Sequence, residues 1–188
     1  MNYKSIKIIF LSYFAVIAIG TILLKLPIAT VNQIEFIDAL FTSTSATCVT
    51  GLIVKNTEFD FTLFGQIVIA LLIQIGGFGY MSLVIILAMM IGKRLEFQDR
   101  MIIKENFDYP TTAGVLRFLR KVFKYVLLIE ALGAALLFVR FSFDYEVAQA
   151  IWLAVFHSIS AFNNAGFSLF EIGLSGYRGD IFVNLVIC

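Results

Sequence analysis

From Phe61 to Gly92 the chain carries no charged side chain. As one helix that run would extend roughly 48 Å, beyond the ~30 Å hydrocarbon core of a bilayer. A second uncharged run, Ile8–Leu24, would extend roughly 25 Å. Backbone in hydrocarbon must satisfy its own hydrogen bonds, and a helix does this within a single segment. The composition agrees, with 60% hydrophobic and 14% charged residues and a mean hydropathy of +0.93. A soluble domain carries about a quarter charged residues. The expected fold class is therefore an all-α integral membrane protein. A net charge of +1 gives no support to a nucleic-acid partner.

Lys4 and Lys7 before the first apolar run mimic a signal peptide. The run is longer than a signal core and no small-residue cleavage site follows, so it reads as a retained spanning helix. Lys25-Leu26-Pro27 ends it, because proline cannot continue the ladder and the ammonium can snorkel. Asn32 to Glu35 then resembles a capping box. The helix it opens, to about Ser45, is too short to cross. Such a segment enters and leaves on one side as a re-entrant pore helix. In the span from Phe61, Gly76, Gly77 and Gly79 read either as close helix packing or as a hinge facing a conduction path.

Between Lys93 and Lys124 the chain turns basic, and Arg117, Arg120, Lys121 and Lys124 fall on one helical stripe. That stripe suits an interfacial anchor on acidic lipid or the docking of a cytoplasmic partner. A further span covers about Val122 to Arg140. Glu130 within it should face protein, as a structural pairing or as an ion site. Asp144 is expected to cap a second short helix, about Tyr145 to Ala161. An outer loop, Phe167 to Asp180, leads to a last hydrophobic stretch, Ile181–Cys188. It provides only about 12 Å of helix, which reads as a fragment. The chain thus divides into a helix–pore loop–helix repeat over 1–92, a cytoplasmic linker over 93–121 and a second repeat over 122–188, truncated in its last helix.

The two short helices lead into related sequences. Shifting the chain by 115 positions sets Phe41–Leu52 on Phe156–Phe167, with identities at Ala39/Ala154, Phe41/Phe156, Ser43/Ser158, Ser45/Ser160, Ala46/Ala161 and Gly51/Gly166. Symmetric membrane repeats place their working site at the repeat interface. A dehydrated monovalent cation needs several oxygen ligands of modest field strength, which backbone carbonyls provide. Aligning them requires a residue that tolerates unusual backbone angles, hence Gly51 and Gly166. Each preceding helix aims its partially negative C-terminal end at the membrane centre, which favours a cation there.

With Thr44–Leu52, Gln74–Gly79 and Phe156–Phe167 in view, the chain resembles the Trk/Ktr/HKT superfamily of potassium transporters, and most of all the membrane subunit of Ktr-type systems. The resemblance implies four repeats around one pore, of which this chain has one and most of a second. It implies ion-facing carbonyls at Val49, Thr50, Gly51 and Leu52, with Asn164, Ala165, Gly166 and Phe167 as counterparts. It implies K+ as the transported ion, sodium as a stimulating or co-transported ion, no covalent cofactor and no metal site beyond K+ at the filter. A homodimer on a cytoplasmic nucleotide-binding regulatory ring, embedded in lipid, is the assembly it implies. Repeats three and four, with the family's basic gate residue, are absent from this sequence.

Placing the N-terminus and residues 93–124 in the cytoplasm puts ten of the 14 Lys and Arg inside. Lys25, Lys55, Arg140 and Arg178 then lie outside with eight acids, a negative mouth that concentrates cations. Cys48 reads as a small pore-loop residue and His157 as a satisfied structural donor or a pH sensor. Cys48 and Cys188 form no disulfide framework. Nor do His157, Ser158 and Ser160 make a hydrolase, since no G-x-S-x-G elbow or placed acid accompanies them. The expected function is potassium uptake through a multi-pass plasma-membrane subunit of the bacterial inner membrane, by passive, gated or sodium-coupled permeation. The alternative is a non-conducting scaffold or regulatory fragment that joins complete subunits.

Overall fold

A computed structural model describes residues 3–79 and 115–187. Among them the ordered elements are helical: α1 Tyr3–Lys25, α2 Phe36–Thr47, α3 Leu63–Gly77, α4 Val115–Phe141, α5 Val147–Phe162, a 3-10 turn Gly173–Tyr177, and α6 Ile181–Ile187. The second half of the 61–92 run and the basic stretch from Lys93 to Gly114 lie outside the described residues. α1 contains the expected span Ile8–Leu24. The segment Arg120–Phe141 of α4 has 22 residues and is long and apolar enough to cross a membrane. Its Leu128, Leu132, Leu136 and Val139 are exposed, an apolar face suited to lipid.

Three expected helix starts are corrected. α2 begins at Phe36 with Glu35 at the N-cap and no side-chain cap bond, so Asn32 and Glu35 form no capping box, and the helix runs on to Thr47. α3 begins after Thr62, whose Oγ1 accepts the Gly65 N–H at 3.3 Å. The hydroxyl also donates to the Ile28 carbonyl at 2.6 Å, which ties the start of α3 to the α1–α2 linker. α5 begins at Val147 with Glu146 at its N-cap. Asp144 is held elsewhere, by Arg140 at 2.7 Å and the Tyr177 hydroxyl at 3.1 Å. An arginine one turn back outcompetes the helix end because two charges attract more strongly than a charge and a partial charge. Lys25 donates to the Ile34 carbonyl, fastening the end of α1 to the segment before α2.

Each short helix crosses a long one in the same way. Ser43 Oγ on α2 donates to the Ile17 carbonyl at 2.9 Å, and Ser158 Oγ on α5 donates to the Glu130 carbonyl at 2.7 Å. Three residues beyond each acceptor stands a glycine, Gly20 or Gly133, where a Cβ would strike that serine hydroxyl. The serines are 115 apart, but Ile17/Glu130 and Gly20/Gly133 are 113 apart. A two-residue change in register between helices leaves the crossing intact. Small residues at the contact let backbones approach, which is how helices associate where lipid is as apolar as leucine. α2 packs on α1 and α3, and α5 packs on α4 and α6, with α3 against α5 joining the halves. The buried core runs through Leu24, Ile69, Ile73, Leu137, Phe141 and Phe156.

Candidate functional site: two matched loops

Both short helices end in the same hydrogen-bonded motif. After α2 the Thr50 N–H bonds the Ser45 carbonyl at 3.0 Å and the Val49 N–H bonds Ala46 at 3.3 Å. After α5 the Ala165 N–H bonds Ser160 at 2.7 Å and the Asn164 N–H bonds Ala161 at 2.9 Å. This is the Schellman arrangement, which needs one left-handed residue just past the helix. Val49 (φ 55°) and Asn164 (φ 54°) fill that position, and the glycines follow two residues later at φ 76° and 72°. Asparagine tolerates the left-handed region, whereas a β-branched valine is strained there by about 1–2 kcal/mol. The sequence pointed to the glycines and missed Val49 and Asn164 as backbone specialists. The signal for Asn164 was present in its residue type; none existed for Val49.

The loops meet at their glycines. A Cβ on Gly51 would lie 2.7 Å from the Ala165 carbonyl oxygen, and one on Gly166 would lie 3.3 Å from Gly51 Cα. Among the described residues no hydrogen bond ends on the carbonyls of Val49, Thr50, Gly51, Leu52, Asn164, Ala165 or Gly166. Phe167 differs: its carbonyl accepts the Ser160 hydroxyl at 2.6 Å and its side chain is buried. Ser45, at the matching place in the first half, instead receives the Thr50 hydroxyl at 2.9 Å. The two loops therefore share a backbone but are braced by different side-chain bonds.

α3 seats both loops at once. Gly76 lies where a Cβ would strike the Thr47 carbonyl, at the end of α2. A Cβ on Gly77 would instead strike the Asn163 side chain, at the end of α5. Adjacent glycines thus let one helix approach the roots of both loops. Gly79 is different, left-handed at φ 64° just past the end of α3, with no described residue near the place where its Cβ would stand.

Apart from the buried hydroxyls of Thr42 and Thr47 on α2, which meet no partner among the described residues, the buried polar side chains around the loops are satisfied by structure. His157 is buried, with Nδ1 donating to the Leu153 carbonyl at 2.7 Å while Nε2 accepts the Leu169 N–H at 3.3 Å. Its Nε2 also meets Ser168 Oγ at 3.1 Å, and that oxygen accepts the Phe170 N–H, so His157 pins the chain leaving the second loop. Ser158 and Ser160 spend their hydroxyls on carbonyls, which removes them from any nucleophilic arrangement with His157. Cys48 is free and exposed. Glu130 faces protein, where its carboxylate accepts from Gln74 at 2.8 Å and Asn163 at 3.2 Å. On the loops outside the helices, burial and the nearby Glu171 charge hold the Glu58 carboxyl above its usual range. Acids from the two halves thus approach each other there.

The family model described as TrkH, cation transport protein, matches residues 4–188. The Ktr system potassium uptake protein B of Bacillus subtilis is 44% identical over 181 residues, 96% of this chain and 41% of that protein. The protein of the same name from Vibrio alginolyticus is 38% identical over 181 residues, 96% of this chain and 40% of its own length. The potassium/sodium uptake protein NtpJ of Enterococcus hirae is 35% identical over 184 residues, 97% of this chain and 41% of its own length. The chain spans about two fifths of the length of these relatives. A match running almost end to end, on a helical chain with a membrane-length span, settles the kinship: this chain belongs to the TrkH family of cation transport proteins.

Proposed function

We propose that this chain contributes two of the carbonyl-lined loops of a potassium-uptake pore in the plasma membrane. The observation that carries the reading is the set of seven loop carbonyls, from two halves that meet at Gly51 and Gly166, that no donor among the described residues occupies. An unpaired carbonyl at membrane depth needs water or a cation. The C-terminal ends of α2 and α5 add partial negative charge next to them. In this reading α2 and α5 are re-entrant pore helices, and Val49–Leu52 and Asn164–Gly166 face the ion. The carbonyl of Phe167 serves less directly, since Ser160 already holds it.

Enclosing an ion takes more loops than two, and four is the arrangement of potassium filters. The working unit is thus a longer pore subunit with two further repeats. It is paired as a homodimer in lipid, with its N-terminus and basic linker in the cytoplasm beside a nucleotide-binding regulatory ring. Sodium acts as a stimulating or co-transported ion. Two relatives named as parts of a potassium uptake system and one named for potassium and sodium uptake support this choice of ions.

The test is growth of a potassium-uptake-deficient strain carrying the full-length subunit or its Gly51→Ser variant, at limiting potassium with and without high sodium. The serine variant is expected to lose growth selectively when sodium is high, because a side chain at φ 76° disturbs the carbonyls. Equal growth of both strains in both media would remove Gly51 from the filter.

A further inference from the structure

Glu130 lies on α4, is 6% exposed, and is bound by groups from both halves of the chain. Its Oε1 accepts Gln74 Nε2 from α3 at 2.8 Å and Asn163 Nδ2 from the end of α5 at 3.2 Å. Asn163 Nδ2 is also within 2.9 Å of the Ile159 carbonyl and 3.4 Å of Gln74 Oε1. The same glutamate offers its backbone carbonyl to Ser158 Oγ at 2.7 Å. One residue thus grips α5 at two points, and its carboxylate grips α3 as well. Asn163 immediately precedes the left-handed Asn164 and the second-loop carbonyls of Asn164, Ala165 and Gly166, which no described donor occupies. Its side chain also fills the space that Gly77 leaves open.

A packing role alone would be met by an apolar side chain, without the penalty of a carboxylate in a buried site. Three amide and carboxyl groups converging from α3, α4 and α5 on the root of one loop do something more specific. They fix the rotation of Asn163 and so the direction of the carbonyls that follow it. We propose that Glu130 is a positioning residue for ion discrimination, acting through Asn163 to hold the second loop in register with the first. The proposal rests on the reading of these loops as an ion filter. The carboxylate acts as a hydrogen-bond acceptor for two amides and does not itself touch the ion. An amide oxygen at the same place can accept both bonds, so acceptor geometry is the property that matters.

The experiment uses the full-length subunit in proteoliposomes, with rubidium uptake measured against potassium and sodium competition. Glu130→Ala is expected to lower potassium-over-sodium discrimination about tenfold and raise the KM for potassium, while Glu130→Gln stays within about threefold of the parent. Gln74→Glu alone, which removes the donor and faces one carboxylate with another, should lower discrimination, and adding Glu130→Gln, which reverses carboxylate and amide, should restore it. If Glu130→Ala does not reach the membrane, Asn163→Ala must show the same loss. Parental discrimination and KM in the alanine variant, with only the amount of protein reduced, would overturn the proposal. So would Glu130→Gln behaving like Glu130→Ala. Failure of the filter reading shows itself separately, as unchanged discrimination in Gly51→Ser.

Discussion

Replacing Gly51 and Gly166 by alanine, one at a time, should produce unequal damage although the two residues occupy matching positions. Both have left-handed backbone, φ 76° and 72°, and a Cβ there is worth about 1–2 kcal/mol of strain at either site. Their surroundings differ. At Gly51 the added carbon lies 2.7 Å from the backbone oxygen of Ala165, too close for any contact to persist, so the loops must move apart. At Gly166 the nearest atom is Gly51 Cα at 3.3 Å, which a small adjustment relieves. Overpacking adds about 1–3 kcal/mol at the first site and little at the second. Gly51→Ala therefore perturbs its loop by about 2–5 kcal/mol against about 1–2 for Gly166→Ala. A displacement approaching 1 Å in an ion site is worth up to about a hundredfold in function. Rubidium uptake by full-length protein in liposomes, competed with sodium, should fall in discrimination about ten times further for Gly51→Ala than for Gly166→Ala. Equal losses, or a greater loss at Gly166, would refute the contact geometry on which the difference depends.

Gly133→Ala should destabilise the full-length protein in detergent by about 1–3 kcal/mol, because its Cβ meets Ser158 Oγ at 2.6 Å. Adding Ser158→Ala should recover most of the loss in a thermal unfolding measurement, since the next neighbour is 3.7 Å away. Asp180 is held below its ordinary 3.8, first by the Val183 N–H and then by Arg140. A depressed carboxylate contributes stability that is complete above its unfolded value and is lost as pH falls through the folded one. Melting temperature should therefore drop on acidification below about pH 4, and Asp180→Asn should flatten that part of the profile. The bias of basic residues predicts Gln98 in the cytoplasm and Ser175 outside. With Cys48 and Cys188 replaced by serine, an impermeant thiol reagent on intact cells should label Ser175→Cys and spare Gln98→Cys; the opposite pattern would invert the topology.

Much of this protein is legible along the chain. Hydrocarbon imposes a local rule, that a segment of sufficient length must be apolar and helical, so Ile8–Leu24 and Val122–Arg140 are both legible as helices, the second of membrane length. The repeat is a translation in one dimension, so an offset of 115 finds both loops, and the matched hydrogen bonds after α2 and α5 keep that offset atom for atom. Helix starts were read less well because caps are competitions. Asp144 has a residue type that favours capping, yet Arg140 claims it.

What only the tertiary structure decided are relations between residues far apart in sequence. Glu130 finds Gln74 56 positions away and Asn163 33 positions away, and nothing local to any of the three announces the meeting. Gly76 and Gly77 look like ordinary small residues of a helix until two different loop roots come to rest on them. Val49 takes a backbone conformation its side chain disfavours because the Ser45 and Ala46 carbonyls must be satisfied at the end of α2. The crossing of long and short helices repeats with a two-residue slip that no single offset reveals. The sequence records which segments are apolar and helical, because that depends on composition over one turn after another. Which carbonyls stay free beside a neighbouring loop depends on packing between segments, and packing is settled only when they meet.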